Sequence, residues 1–247
     1  MIILKSPAEI DIIAANGAIL KECFAFANEF IEPGRTRKEL NEEIEKIILS
    51  RGAKPAFKGF QGFPAATCVS VNEEVVHGIP GDQRFEEGDI VGLDIGVLKD
   101  GYYADAARTV PAGKISKEAA RLLEVTKEAL DSGISQAVPG KRLTDISHAV
   151  EQRAIKAGFT VVKSLVGHGI GQQMHEEPQV PNFGPPSQGP ELREGLVLAI
   201  EPMVNMGGSD VFTLEDGWTI VTADRSMSAH FEDTIAITKE GPRVLTR

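Results

Sequence analysis

Two cysteines, Cys23 and Cys68, are all that 247 residues contain, too few for a disulfide framework and in keeping with a reducing compartment. Apolar runs are short. None approaches the ~18 residues of a membrane-spanning helix, and the apolar residues 1–4 precede Lys5, the wrong order for a secretory leader. These absences point to a cytoplasmic protein that does not enter membranes. Basic residues are outnumbered, 26 against 36 acids for a net charge of −10, and they are scattered. A nucleic-acid groove and a face for anionic lipid are therefore disfavoured. What the chain has in surplus is acid, which raises the question of metal ions. With 42% hydrophobic residues and no low-complexity tract, it can bury a large core, and a single domain over 1–247 is expected.

Helix signals come in two pairs. Ser6-Pro7-Ala8-Glu9 places a capping Ser before an N1 proline with Glu at N3, and Ile10, Ile13, Gly17, Leu20 and Phe24 follow at helical spacing. Thr36-Arg37-Lys38-Glu39 opens a second run with Leu40, Ile44, Ile47 and Ile48 on one stripe and Gly52 past its end. Residues 116–130 and 144–157 read as two more helices, with stops near Gly133 and Gly158. The segments 33–52 and 139–158 match at a constant offset of 106: Pro33-Gly34 with Pro139-Gly140, Leu40 with Ile146, Ile44 with Val150, Glu45 with Glu151. Two similar halves are predicted. Strand signals fall at 67–71, 89–98, 102–110, 159–166, 195–204 and 228–238, and the Pro- and Gly-rich stretch 181–190 reads as a surface loop. Helices grouped with largely antiparallel strands predict an α+β fold.

The hairpin is the most specific local signal. Asp100-Gly101 between apolar runs fits a two-residue type I′ loop. If Lys99 opposes Tyr102, Asp94 faces Ala107 and Asp105 lies two residues further along the same face, making the two aspartates diagonal cross-strand neighbours. Both stand among Ile90, Val91, Leu93, Ile95, Ala104 and Ala106, where an unpaired charge is costly. Glu201 ends the apolar run 196–200. Alternation sets Glu232 opposite in face to Phe231 and Ile235, and His168 lies in Gly167-His168-Gly169-Ile170-Gly171. That glycine pattern lacks the third glycine of a dinucleotide loop, where Met174 stands. Glu74-Val75-Val76-His77 has the E-x-x-H spacing of di-iron bundles but sits in a β-branched run without a second copy. His175-Glu176-Glu177-Pro178 is not the H-E-x-x-H of zincins.

Asp94, Asp105, His168, Glu201 and Glu232, in this order, resemble the five metal ligands of the methionine aminopeptidases. The likeness extends to Val71-Asn72-Glu73-Glu74-Val75-Val76-His77-Gly78-Ile79-Pro80, His175-Glu176-Glu177-Pro178-Gln179-Val180, Ile200-Glu201-Pro202-Met203-Val204 and Asp216-Gly217-Trp218-Thr219. It has the look of the short type I form, without an N-terminal zinc-finger extension. The resemblance implies a pita-bread fold of two pseudo-symmetric halves, in agreement with the offset of 106. It implies two divalent ions (Co, Mn, Fe or Zn), one held by Asp94, Asp105 and Glu232, the other by Asp105, His168, Glu201 and Glu232. By the same likeness Glu201 shuttles the proton, His175 meets the carbonyl and oxyanion, and His77 meets the scissile amide. Phe57, Phe60, Phe63, Cys68, Met174 and Trp218 match the methionine pocket.

Three departures from the family pattern stand out. Phe60 and Phe63 replace tyrosines, Met174 replaces an aromatic and could loosen the pocket, and His230 replaces an amide at what reads as an inert rim position. Asn72 and Ser228 match residues that bind a monovalent cation in some relatives. The implied reaction is removal of the N-terminal methionine from new proteins, with a small second residue preferred, transient contact with the ribosome and a monomeric enzyme. An Xaa-Pro peptidase shares the five ligands but usually carries a long additional N-terminal domain. A binding protein of the same fold would have lost ligands. A two-metal phosphohydrolase would bring a Lys- or Arg-rich clamp, and none is apparent.

Overall fold

The computed structural model describes all 247 residues. Four helices are present, α1 (Pro7–Phe30), α2 (Arg37–Ser50), α3 (Lys117–Gln136) and α4 (Leu143–Lys156). The capping boxes form as the sequence predicts: Ser6 and Thr36 each accept from the N3 backbone while Glu9 and Glu39 reach back to the cap N–H. Helix α4 has its counterpart, with Asp145 accepting from the Arg142 N–H at 2.8 Å. The repeat at an offset of 106 is visible in three dimensions. Helices α2 and α4 are both 14 residues long and start 106 apart, and the short strands Lys54–Pro55 and Thr160–Val161 follow them at the same offset.

One nine-stranded antiparallel sheet runs through both halves. Its order is Lys54–Pro55, Ile90–Lys99, Tyr102–Pro111, Glu232–Thr238, Val197–Ile200, Val166–Gly169 and Glu176–Pro181, with Cys68–Val71 beside Ile90–Lys99 and Gly241–Val244 beside Glu232–Thr238. Helices α1 and α2 cover the first half, where Ile13, Leu20, Leu40 and Ile44 pack with Val91, Leu93 and Ile95. Leu130, Ile134, Leu143 and Ile146 of α3 and α4 pack with Leu198, Ile200 and Ile235 of the second. The hairpin register is the predicted one, Lys99 opposite Tyr102 and Asp94 opposite Ala107.

Four expectations differ. The strand expected over 159–166 is two, Thr160–Val161 and Val166–Gly169, in different sheets. Helix α3 does not stop near Gly133 but runs through it, because the missing side chain is what lets α4 approach: a Cβ there would lie 2.8 Å from Val150 Cγ2. The strand expected over 195–204 is broken at Glu201-Pro202, so that Met203–Asn205 leaves the main sheet for a three-stranded one with Ser228–His230 and Thr160–Val161. The strand expected over 228–238 breaks at Phe231 in the same way. Both breaks lie beside acids expected in the site. Glu201 follows the end of one main-sheet strand and Glu232 opens another.

Candidate metal centre and substrate pockets

Cross-strand register assembles the acid cluster. Ala107 stands opposite Asp94 on one side and opposite Glu232 on the other, and Asp105 is two residues from Ala107 on the same face. His168 pairs with Ala199, two residues before Glu201. The five side chains thus converge from five adjacent strands, Glu201 from the residue just past the end of its own. Ligand atoms of Asp105, His168 and Glu232 all lie within 4.8 Å of one another, and His168 Nε2 is 3.6 Å from Glu201 Oε1. Thr234 ties the Asp105 backbone down, accepting its N–H at 3.1 Å and donating to its carbonyl at 2.8 Å. Arg108 holds the Glu232 carbonyl and pairs with Asp233.

Electrostatics in this cluster are unbalanced. Burial raises Asp94 from its ordinary range to about 7. Burial, then the charges of Glu232 and Asp94, raises Asp105 well above its usual value. Glu201 and Glu232 are raised by the same combination of burial and neighbouring carboxylates. Asp94 and Glu201 keep some exposure, but it is toward the cavity rather than bulk water. Burial lowers His168 to about 4 and keeps its ring neutral. Its Nδ1 lies 2.8 Å from the Gly169 carbonyl, so the proton sits there and the Nε2 lone pair is free for a ligand role. Asp94 Oδ1, Asp105 Oδ1 and Glu232 Oε1 are buried and have no hydrogen-bond partner. Crowded, unpaired carboxylate oxygens beside a neutral imidazole are the donor set of a hard or borderline divalent cation.

Two spaces meet at this cluster. One is a small pocket of about 160 Å³, walled by Phe57, Phe60, Phe63, Cys68, Met174 and Trp218 on its apolar side, close to the ~150 Å³ that admits a benzene ring. Trp218 meets Phe63 edge-on at 5.2 Å and is held by Asp216, whose carboxylate accepts from the Trp218 and Thr219 N–H groups at 2.8 Å. Met174 is 3% exposed. It fits because residue 96 is glycine: a Cβ there would lie 2.8 Å from Phe57 Cε1 and 3.1 Å from Met174 Cε. The other space is an open cleft of about 670 Å³ reaching past Val76, Leu165 and Met203 to Glu177 and Gln179. His77, Asp94, His168, His175 and Glu201 border both.

The three expected site histidines gather here. His77 adopts φ 60°, a left-handed conformation that a non-glycine residue holds at some strain, and burial lowers its pKa. His175 lies edge-on to His168 at 4.4 Å and to Phe60 at 5.3 Å. His148 is elsewhere, its Nδ1 3.2 Å from the Gly184 carbonyl on the 181–190 loop. His230 corrects the rim reading. It is 4% exposed, its Nε2 has no hydrogen-bond partner, and that atom stands 3.7 Å from Glu201 Oε2 inside the open cleft. Alternation does place it on the strand face of Glu232; what the rim reading missed is how deeply it is buried there. Sequence reasoning also missed the cleft residues Gln173, Glu176 and Gln179, whose polar character looks like ordinary surface.

A binuclear-type acid cluster at the seam of two similar halves, on this strand order, defines a metallohydrolase of the pita-bread kind. The profile of metallopeptidase family M24 matches residues 11–239, and the chain belongs to that family. Methionine aminopeptidase from Clostridium perfringens is 51% identical over 246 residues, covering 100% of this chain and 99% of that protein. The crystal structure of methionine aminopeptidase from Rickettsia prowazekii has a TM-score of 0.99 at 37% identity, with 100% of both chains covered. A prolidase from Pyrococcus horikoshii shares the fold at a TM-score of 0.81 and 28% identity, but this chain spans only 63% of it. Membership of a metallopeptidase family implies divalent metal ions, and the buried Asp105, His168 and Glu232 cluster fits them.

Proposed function

We propose that this chain, acting as one catalytic unit over 1–247, removes the N-terminal methionine of peptides and proteins by hydrolysing their first peptide bond. The supporting observation is the junction of a small apolar pocket, of a volume to hold one side chain, with a larger open cleft. A peptide whose first side chain fills the pocket and whose remainder lies in the cleft presents its first peptide bond at the cluster where the two spaces meet, as an exopeptidase requires. The apolar, thioether-lined pocket suits methionine. Its relatives' name as methionine aminopeptidases supports the same substrate.

Asp94, Asp105 and Glu232 would hold one divalent ion, and Asp105, His168, Glu201 and Glu232 a second. Four carboxylates then balance two dications, which accounts for the unpartnered oxygens and raised carboxylate pKa values. When bound, such ions supply acidification of a water and polarisation of the scissile carbonyl. The remaining steps belong to the chain. Glu201, which borders both the pocket and the cleft, takes the proton of the attacking water and returns it to the leaving amine. His175 donates to the carbonyl oxygen and steadies the tetrahedral oxyanion, and His77 contacts the scissile amide. Phe57, Phe60, Phe63, Cys68, Met174 and Trp218 bind the methionine side chain and exclude water from it.

Finer assignments go with this reading. Co, Mn, Fe and Zn all suit a set of oxygens with one imidazole. A monovalent cation near Asn72 and Ser228 has the support that the two residues adjoin, the Ser228 N–H donating to the Asn72 carbonyl at 2.9 Å. A preference for a small second residue, monomeric state, transient ribosome contact and cytoplasmic location complete the proposal. No helix is long and apolar enough to cross a membrane.

The test is to strip the metal and incubate the protein with Met-Ala-Ser, Leu-Ala-Ser and Ala-Pro-Ser, adding Mn²⁺, Co²⁺, Fe²⁺ or Zn²⁺ in turn. Release of Met alone, restored by metal, is expected. Cleavage of the proline-linked peptide would favour an Xaa-Pro peptidase, and metal binding without any cleavage would favour a binding protein.

A further inference from the structure

Lys5 has none of the roles above, yet its ammonium is buried against Glu176, a residue of the open cleft's wall. Its side chain is 2% exposed and that of its partner Glu176 5%, with Nζ 2.5 Å from Glu176 Oε2. A dry ion pair gains little over a well-packed apolar pair in stability alone. Space is reserved for this one: a Cβ on Gly171 would come within 2.4 Å of Lys5 Cε and 2.7 Å of Glu176 Oε1. The lysine is itself anchored, its N–H donating to the Gly195 carbonyl at 2.7 Å and its ammonium to the Ile3 carbonyl at 3.0 Å.

The pair closes the base of the turn that links the Val166–Gly169 and Glu176–Pro181 strands. Glu176 Oε1 accepts the Gln173 N–H at 3.2 Å, and the Gly171 carbonyl accepts the Tyr103 N–H at 2.8 Å. Between those two ties the turn carries Met174 into the small pocket and His175 to the junction. The His175 ring is set by edge contacts with His168 and Phe60, so its place depends on the backbone beneath it.

We propose that Lys5 is a positioning residue for the hydrolysis: through Glu176 it locks the 171–175 turn so that His175 and Met174 meet the carbonyl and the side chain of the same substrate residue. The proposal rests on the site assignments of the preceding subsection. A shift of the turn by about 1 Å is enough to lower turnover about 100-fold while leaving the five acid and imidazole ligands in place.

The test compares Lys5→Met, Glu176→Gln, the double variant and His175→Ala, all metal-loaded, for kcat and KM on Met-Ala-Ser, metal stoichiometry by calorimetry, and melting temperature. Lys5→Met is expected to lower kcat about 10- to 100-fold, with KM within about threefold of wild type and full metal occupancy. The double variant should be no worse than the poorer single, because both changes break one contact. If Lys5→Met does not fold, Glu176→Gln must show the same isolated loss of kcat. Unchanged kcat in folded Lys5→Met, beside an inactive His175→Ala, overturns the proposal and spares the site reading. A loss that tracks lost metal, or multiplies in the double variant, also overturns it. Wild-type turnover in His175→Ala instead rejects the site reading itself.

Discussion

Ala107 shows how single residues build this site. Its methyl group is the only side chain between Asp94 and Glu232 on adjoining strands, so both carboxylates can lean over it toward Asp105. Asp94→Asn preserves that shape and removes one negative charge from the ligand set. We expect it to weaken binding of one ion about tenfold or more, with turnover falling alongside, and calorimetric counting of bound ions checks it. Unchanged stoichiometry and affinity would remove Asp94 from the ligands. Glu201→Gln deletes the proton acceptor, and a fall in kcat of about 10²- to 10⁴-fold is expected in single-turnover assays with the fold intact by circular dichroism. An active Glu201→Gln would reject the shuttle. The acids were legible in the sequence because a charge inside an apolar strand run is conspicuous. His230 was legible only by half: two residues before Glu232 it shares that strand face, but its depth beside Glu201 depends on residues distant in sequence.

Among the elements, the hairpin was readable to the residue because Asp100-Gly101 fixes a two-residue loop, and the loop fixes every pair beyond it. At Glu201-Pro202 the sequence does mark the end of an apolar run, but the change of sheet beyond it and the break at Phe231 were not readable, because the partner strands that separate there lie far away in sequence. Glycines inside helices posed the same ambiguity: Gly133 read as a stop but serves as a contact. Gly17 is the sharper case. It sits in the middle of α1, and a Cβ there would lie 1.9 Å from the Leu245 carbonyl oxygen. That neighbour is backbone, held by the Leu245 N–H to the Thr234 carbonyl at 2.9 Å and by Thr246 Oγ1 to Asp233 at 2.8 Å. Gly17→Ala gains ~1 kcal/mol of helix propensity but must displace the C-terminal segment. We expect a net loss of about 1–3 kcal/mol, read as a melting temperature lower by about 2–4 °C per kcal/mol. A melting temperature equal to or above wild type would show that the tail yields freely.

At the scale of the whole molecule, two halves with the same helix–strand plan share one sheet, and the acids gather where the halves meet. That arrangement makes the metal-free protein electrostatically frustrated, and pH exposes it. Burial raises the folded pKa of Asp94 to about 7 and those of Asp105, Glu201 and Glu232 well above their usual values. A carboxyl with a raised folded pKa contributes stability that is complete below its unfolded pKa and is lost as pH rises through the folded one. The buried histidines act in the opposite sense: His168 is lowered to about 4 and His230 to about 3, so they destabilise only as pH falls below their unfolded value of ~6.5. Above about pH 7.4, where the unfolded histidines are nearly all neutral, the carboxylates set the trend. Each one still protonated in the folded state and ionised in the unfolded state removes about 1.4 kcal/mol per pH unit. The melting temperature of chelator-treated protein should therefore fall across this window. Divalent metal should raise it by an increment that grows with pH, since binding the ionised cluster displaces its protons. Melts at pH 7.4, 7.8 and 8.2 with and without Mn²⁺ read this directly. A flat metal-free profile, or a metal increment that shrinks with pH, would mean that the carboxylates are not held protonated together at the seam.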